Sequence, residues 1–412
     1  MAPETIKITD RDYTHTPVPE SGRLPAIQIF SIWLGFILVV GLMAVGGGLA
    51  SQLSKLDFLN AVLIGNLVLA VFAAFTGYIG AKSGRAFNQL VAIAFPGASS
   101  RIANLYVPIV LIGWYAVESA LFGSFIGHAL KLSPFFQGTV AVIFSLCFAT
   151  SSYIGYRGLK WVSYFMVPII FVFGTYSIIA VFKQNNLSFG FGSPITLATG
   201  ISYVISSWIM GILTALPDLT RFCKKPIYGA LVGGIGILVA NGFNMIIGGY
   251  GASLTKESDP AVILCALGFI IAGLIFSLAN IWTTNDSNMY AASLNLSSAT
   301  RISRRKCIVI ATLIGIVLML LHPERLSFIF SFLSFMGNTA PALGGVVYTS
   351  YFLKKQDNDD YAVWIPWTAW VLGSLASWWV GGLWSLPLGM AIASIVMLVT
   401  CKTQSSKISR GS

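Results

Sequence analysis

Apolar runs of roughly 20 residues, each long enough to cross about 30 Å of hydrocarbon, recur from about Gly35 to the C-terminus. They predict spans at 26–50, 57–81, 102–129, 135–155, 160–182, 198–219, 227–250, 260–290, 307–321, 327–352, 361–380 and 386–401. Connections between spans are short, and no stretch resembles a separate soluble domain. Within hydrocarbon every backbone polar group must find its partner internally, so the pattern predicts an all-α integral membrane protein with about 12 transmembrane helices. The opening MAPETIKITDRDYTHTPVPESGRLPA is polar and proline-rich, without an apolar core before a small-residue cleavage site, and reads as a cytoplasmic tail.

Three spans carry helix-weakening residues where a plain anchor would carry leucine. Span one contains Gly35, Gly41 and the triplet Gly46 to Gly48, span six reads ISSWIMGILTALPDLTRF, and span ten contains FMGNTAPALGG. Irregular backbone at membrane depth is tolerated only where protein or a water-filled cavity surrounds it, so these segments predict a site between helices. For Gly46 to Gly48, close helix packing is the favoured reading. Spans one and six also head two sets of five, the spacing of an inverted repeat, although the halves share no residue-level similarity.

Composition agrees with the pattern. Hydrophobic residues make up 56% and charged residues 9% of 412 positions, with mean hydropathy +0.80. The net charge of +11 does not point to nucleic acid. With the N-terminus inside, 20 of the 25 Lys and Arg fall in inner segments, which orients the chain and accounts for the basic excess. Five widely separated cysteines suggest neither a disulfide framework nor a metal site. Only three histidines exist, and no residues group into a catalytic motif, so the expectation is a protein that is not an enzyme.

Candidate chemistry concentrates in spans three, six and eight. Ser277, Asn280, Thr283, Thr284, Ser287 and Asn288 share one helical stripe roughly 140° wide, while Asn285 and Asp286 leave it in opposite directions. Uncharged hard oxygens in such a row suit a dehydrated alkali cation, with backbone carbonyls of a neighbouring unwound helix completing the shell. In span three, Trp114 and Glu118 are one turn apart and share a face. An ionisable group at that depth faces a cavity and needs a partner, and no Lys or Arg lies at matching depth. Trp114 and Trp208 on two spans would clamp a planar heterocycle by stacking, with Glu118 accepting hydrogen bonds at its edge.

The segments NIWTTND, DFLNAVLIGNLVLAVFAAFTGYIGAKSG, PVPESGR and IGWYAV closely resemble the cytosine permease branch of the nucleobase:cation symporter-1 family, from about Pro17 to the end of span ten. The resemblance implies a five-plus-five inverted-repeat transporter: a tail over 1–25, a ten-helix transport core over 26–352, two additional helices over 353–401 and a C-terminal tail over 402–412, both tails cytoplasmic. It implies a sodium site from the backbone carbonyls of Gly35 and Val39, a contribution from Asn280, and the hydroxyls of Thr283 and Thr284. It implies a substrate site from Trp114 and Trp208, with Ser207, Gly211 and Asn285 offering further contacts. Two departures bear on substrate. Where cytosine-transporting relatives carry a carboxamide before the span-three tryptophan this chain has Leu111, and where hydantoin-transporting relatives carry one after it this chain has Glu118.

A carboxylate only accepts hydrogen bonds, which favours a ligand presenting adjacent N–H groups; a protonated Glu118 both donates and accepts, and readmits cytosine. The expected function is sodium-coupled import of a nucleobase or related planar heterocycle by alternating access. The expected setting is a bacterial-type inner membrane, with the protein acting as a monomer without a cofactor beyond the sodium ion. The alternative is a proton-coupled purine or hydroxymethylpyrimidine permease using Glu118. A channel or substrate-sensing receptor would need a continuous polar pore or a signalling domain, and neither is evident.

Overall fold

The computed structural model describes residues 13, 15–183, 186–256, 265, 268, 270–356 and 362–410. The helices are α1 (Ala26–Ile37), α2 (Val40–Gln52), α3 (Lys55–Ser83), α4 (Phe87–Ala94), α5 (Ser99–Ala103), α6 (Tyr106–Leu130), α7 (Pro134–Ile154) and α8 (Tyr156–Phe182). They continue as α9 (Leu197–Thr220), α10 (Pro226–Thr255), α11 (Ile270–Thr300), α12 (Arg304–Met319), α13 (Leu326–Gln356), α14 (Trp364–Val380) and α15 (Gly382–Arg410). A helix or helix pair stands at each predicted span. For span eight the described helix begins at Ile270, and most of 260–269 lies outside the described residues. Among the described residues, eight helices suffice by length and composition to cross a membrane, and the bent pair α1–α2 makes a ninth. Of the remaining long helices, α11 carries the polar NIWTTND run, while α12 and α14 are shorter, at 16 and 17 residues.

The bundle is ordered by size of side chain as much as by polarity. On α3, Leu63, Leu67 and Val71 recur every four residues with their side chains exposed, the face hydrocarbon would cover. Its opposite face buries Ala61, Gly65, Ala73 and Gly77 and packs on α9 and α10. Without water to drive helices together, such small residues gain close backbone contact instead. Ser54 caps α3 by accepting the Asp57 N–H at 3.1 Å, and Gly84 ends it in the left-handed conformation at φ 66°. Gly46 on α2 sits against the backbone of Met245 on α10, so the packing reading of the glycine triplet holds there.

Of the three segments expected to be irregular, only span one breaks. Its two helices meet at a 53° bend at Leu38 and Val39. Span six runs as the single helix α9 and span ten as the single helix α13, which corrects the expectation for both. The reason is visible in α9. Pro217 cannot donate to the carbonyl of Leu213, and the Tyr348 hydroxyl of α13 donates to it instead. The carbonyl of Ile212 likewise accepts from Thr76 Oγ1 at 2.9 Å. Tertiary partners therefore keep the helix continuous.

Two short helices, α4 and α5, occupy the connection after α3, where no element was expected. The N–H of Phe87 opening α4 donates to Asp218 Oδ1 at 2.6 Å, which anchors this connection on the end of α9. Arg221, next on the same helix end, donates to the carbonyl of Tyr13 at 2.9 Å and to the Tyr290 hydroxyl at 3.3 Å. The tail continues along these ends: Leu24 N–H donates to the carbonyl of Phe222 at 2.6 Å and Arg23 to that of Cys223 at 2.8 Å. Burial lowers the pKa of the Arg23 guanidinium and pushes that of the Cys223 thiol up to about 12.

Candidate functional site

The break in span one is built from distant side chains. Leu38 (φ −69°, ψ 95°) and Val39 (φ −132°, ψ 124°) leave the helical region, which strips carbonyls of intrahelical partners. Asn244 Nδ2 on α10 donates to the carbonyl of Ile37 at 2.8 Å, and Thr284 Oγ1 on α11 to that of Leu38 at 3.0 Å. Beyond the break, the Gly41 N–H in the first turn of α2 donates to Glu118 Oε1 on α6 at 3.0 Å. A carboxyl oxygen fits that position because the first N–H groups of a helix are unpaired and carry partial positive charge. Only glycine allows it, since a Cβ at position 41 would collide with Glu118 Oε1 and lie 3.3 Å from Trp114.

The predicted cation residues meet at the same junction. Thr283 Oγ1 donates to the carbonyls of Ala279 and Asn280 at 3.1 and 2.9 Å, and Thr284 Oγ1 shares its proton between Asn280 at 3.1 Å and Leu38. With their protons turned to carbonyls, both hydroxyls keep lone pairs for a cation. Gly35 on α1 lies against this face: a Cβ there would be 3.2 Å from Thr283 Cβ and 3.1 Å from Ser163 Oγ on α8. Both polar side-chain atoms of Asn280 are buried without a hydrogen-bond partner among the described residues. The carbonyl reached by Thr284 belongs to Leu38, one residue before Val39, whose own carbonyl accepts the Leu42 N–H at 3.1 Å.

Thr284 also lines a cavity. Its other walls are Phe36, Val39 and Leu42 from the broken span, Leu111 and Trp114 from α6, Ser207, Trp208, Met210 and Gly211 from α9, and Asn288 from α11. The space measures about 410 Å³ including its mouth. Trp208 is held edge-on by Trp33 and Phe36, with ring centroids 5.6 and 5.2 Å away, and Trp114 packs on Phe332 at 5.5 Å. Trp208 Nε1 and Asn288 Nδ2 are buried donors with no hydrogen-bond partner among the described residues. Ser207 Oγ donates to the carbonyl of Val204 at 2.6 Å, which leaves its lone pairs free.

Of the predicted substrate residues, Trp114, Ser207, Trp208 and Gly211 are thus brought together. Glu118 and Asn285 stand behind the lining. Glu118 is fully buried on Gly41 with Oε2 unpartnered among the described residues, and Asn285 Nδ2 donates to Ser119 Oγ at 3.1 Å. Asp286 points elsewhere again, accepting from Ser287 Oγ at 3.2 Å while its carbonyl accepts from Ser152 Oγ at 2.8 Å. Asn288 belonged to the polar stripe but had no assigned ligand; lying one turn after Thr284 was the signal that could have placed it in the cavity. Phe36 and Met210 carried no signal, because an apolar residue in an apolar helix does not announce which face is hollow.

The fold and sequence both have relatives. Residues 17–403 match the family described as permease for cytosine/purines, uracil, thiamine, allantoin. The chain is 29% identical over 387 residues to a cytosine permease of Escherichia coli (strain K12), covering 91% of this chain and 90% of that one. It is 24% identical over 440 residues to a purine-uracil permease of Arabidopsis thaliana, covering 95% and 70%. Among solved structures it resembles Mhp1, a nucleobase-cation-symport-1 family transporter in a closed conformation with bromovinylhydantoin bound, with a TM-score of 0.82, 15% identity and 95% of each chain covered. A Na+-coupled sialic acid symporter in a substrate-bound outward-open state gives a TM-score of 0.70 at 13% identity, covering 97% and 93%. At these identities the structures speak for the fold, an all-helical membrane transporter fold, and the family match speaks for the activity class. The chain is a multi-pass membrane permease and belongs to the nucleobase:cation symporter-1 family.

Proposed function

We propose that this permease imports a planar nucleobase-like heterocycle together with a sodium ion by alternating access. The observation that carries the reading is the double position of Thr284: its side chain lines the cavity with Trp114 and Trp208 and bonds the unwound carbonyl of Leu38. A cation held by the carbonyls of Gly35 and Leu38 and by Asn280, Thr283 and Thr284, with Val39 beside them, would brace one wall of the substrate cavity. Cation and base would then favour each other's binding.

The base stacks between the Trp114 and Trp208 indoles, over Gly211, with Trp208 Nε1 and Asn288 Nδ2 donating to ring acceptors and Ser207 accepting. Glu118 and Asn285 act from behind, where Glu118 fixes α2 against α6. Residues 26–352 form the transport core and 353–401 an added helical pair, in a bacterial-type inner membrane with both termini cytoplasmic and the protein a monomer. Sodium entry driven by the membrane potential contributes about 2.3 kcal/mol per 100 mV, enough to concentrate substrate more than tenfold.

A second reading, a proton-coupled purine or hydroxymethylpyrimidine permease, is favoured by Glu118. That carboxyl is fully buried with one oxygen unpartnered among the described residues. A thermal-shift panel of nucleobases in sodium and in choline separates the two. The sodium reading expects a base to raise the melting temperature more in sodium, since a ligand that binds only the folded state stabilises it. A base whose effect ignores sodium but follows pH supports the proton reading.

A further inference from the structure

Serine in a helix ordinarily turns its hydroxyl back onto a carbonyl three or four residues earlier. Ser145 does so to Ala141 at 2.7 Å, Ser202 to Ala198 at 2.9 Å and Ser350 to Val346 at 2.7 Å. Ser163 on α8 departs from this habit. It is 1% exposed, and its Oγ has no hydrogen-bond partner among the described residues. Leaving a buried hydroxyl unmet costs stability, so the position favours a ligand that satisfies it.

The direction of that hydroxyl is given by its neighbour. Ser163 Oγ lies 3.1 Å from where a Cβ on Gly35 would stand, and Thr283 Cβ lies 3.2 Å from the same point. A residue from α8, the end of α1 and the cation face of α11 therefore crowd one spot. On the same face of α11 both polar side-chain atoms of Asn280 are unpartnered among the described residues, and its carbonyl gathers the Thr283 and Thr284 hydroxyls. Neutral hard oxygens from α8 and α11 facing the end of α1, with Ser163 and Asn280 unsatisfied among the described residues, suit an alkali cation better than a water-exposed hydrogen-bond network.

We propose that Ser163 is a further ligand of the coupling cation, so that the ion ties α8 to the broken span as well as to α11. This rests on the sodium reading above and deepens it. The bond is a neutral oxygen lone pair on a monovalent cation, and no proton or electron moves. Its consequence is that the cation affinity depends on the position of α8: any movement of α8 away from Gly35 removes one ligand and promotes release.

The test uses the full chain in detergent, titrated with sodium chloride against choline chloride at constant ionic strength, with melting temperature as the readout and no nucleobase present. Ser163→Ala removes the oxygen from a small side chain, and Ser163→Cys keeps its shape while substituting a soft sulfur. In choline, Ser163→Ala is expected to melt at or above the wild-type temperature because it removes an unmet hydroxyl, and both variants are expected to need at least fivefold more sodium for half of the stabilisation. Half-saturation within twofold of wild type in both variants overturns the inference, as does a change confined to Ser163→Cys, which would report packing. A wild-type protein indifferent to sodium overturns the cation reading itself and the Ser163 assignment with it.

Discussion

The hydroxyl of Thr284 donates to the carbonyl of Leu38 at 3.0 Å, joining the polar helix α11 to the point where the first span comes apart. Leu38 has lost its helical donor, and Thr284 is the residue that both repairs the loss and faces the cavity. Thr284 therefore joins the break in the first span to the wall of the cavity.

Thr284→Ala removes that link. The Leu38 carbonyl loses its donor and the proposed cation loses a ligand. An interaction with a charged group contributes about 1.5–3 kcal/mol, so the sodium concentration for half-maximal uptake should rise roughly tenfold or more, and Thr284→Ser should recover most of it. Sodium-titrated uptake reads this directly, and an unchanged half-saturation in Thr284→Ala would count against the site.

Trp114→Ala and Trp208→Ala each take away one face of the proposed clamp. Stacking of a base on an aromatic side chain is worth about 1–3 kcal/mol, so nucleobase affinity should fall roughly 5- to 150-fold in either variant, without selectivity among bases. Binding measured by calorimetry checks this. Retained affinity in both variants would mean the base sits elsewhere.

Glu118 separates capping from recognition. Glu118→Leu leaves the Gly41 N–H without its acceptor and should cost about 1–3 kcal/mol of stability, whereas Glu118→Gln keeps an acceptor and should melt near wild type. Equal melting of the two variants would remove the capping role. Under the second reading, Glu118→Gln also flattens the pH dependence of uptake, because the amide cannot exchange a proton.

Tyr348→Phe tests why α9 stays whole across Pro217. Deleting the hydroxyl strands the buried carbonyl of Leu213, at about 1–3 kcal/mol, with the change localised to α9 by hydrogen exchange. Wild-type stability in this variant would show that the carbonyl has another way to be satisfied.

The positions of the spans were legible because a run of about 20 apolar residues has few alternatives in a charge-poor chain. The stripe on span eight was legible for a similar reason: α11 is a regular helix, so a wheel places Thr283, Thr284 and Asn288 on related faces. The break at Leu38 was legible only as glycine content. What makes it is Asn244, Thr284 and Glu118, three residues far away in sequence whose meeting is tertiary. The same limit misjudged spans six and ten, since the partner that keeps α9 helical lies on α13. A wheel gives the face on which Glu118 sits but not what opposes it, so its place on the Gly41 N–H could not be read. Helices α4 and α5 were missed because eight and five residues carry too little periodicity to stand out from a connection.

Initial uptake of a labelled nucleobase into proteoliposomes, using the base that stabilises the protein most, tests the central claim most directly. With the interior negative, an inward sodium gradient should drive accumulation above the external concentration, and an equal gradient of choline should not. Accumulation that is the same with choline, or that follows an inward proton gradient alone, would contradict sodium coupling at the Thr284 junction.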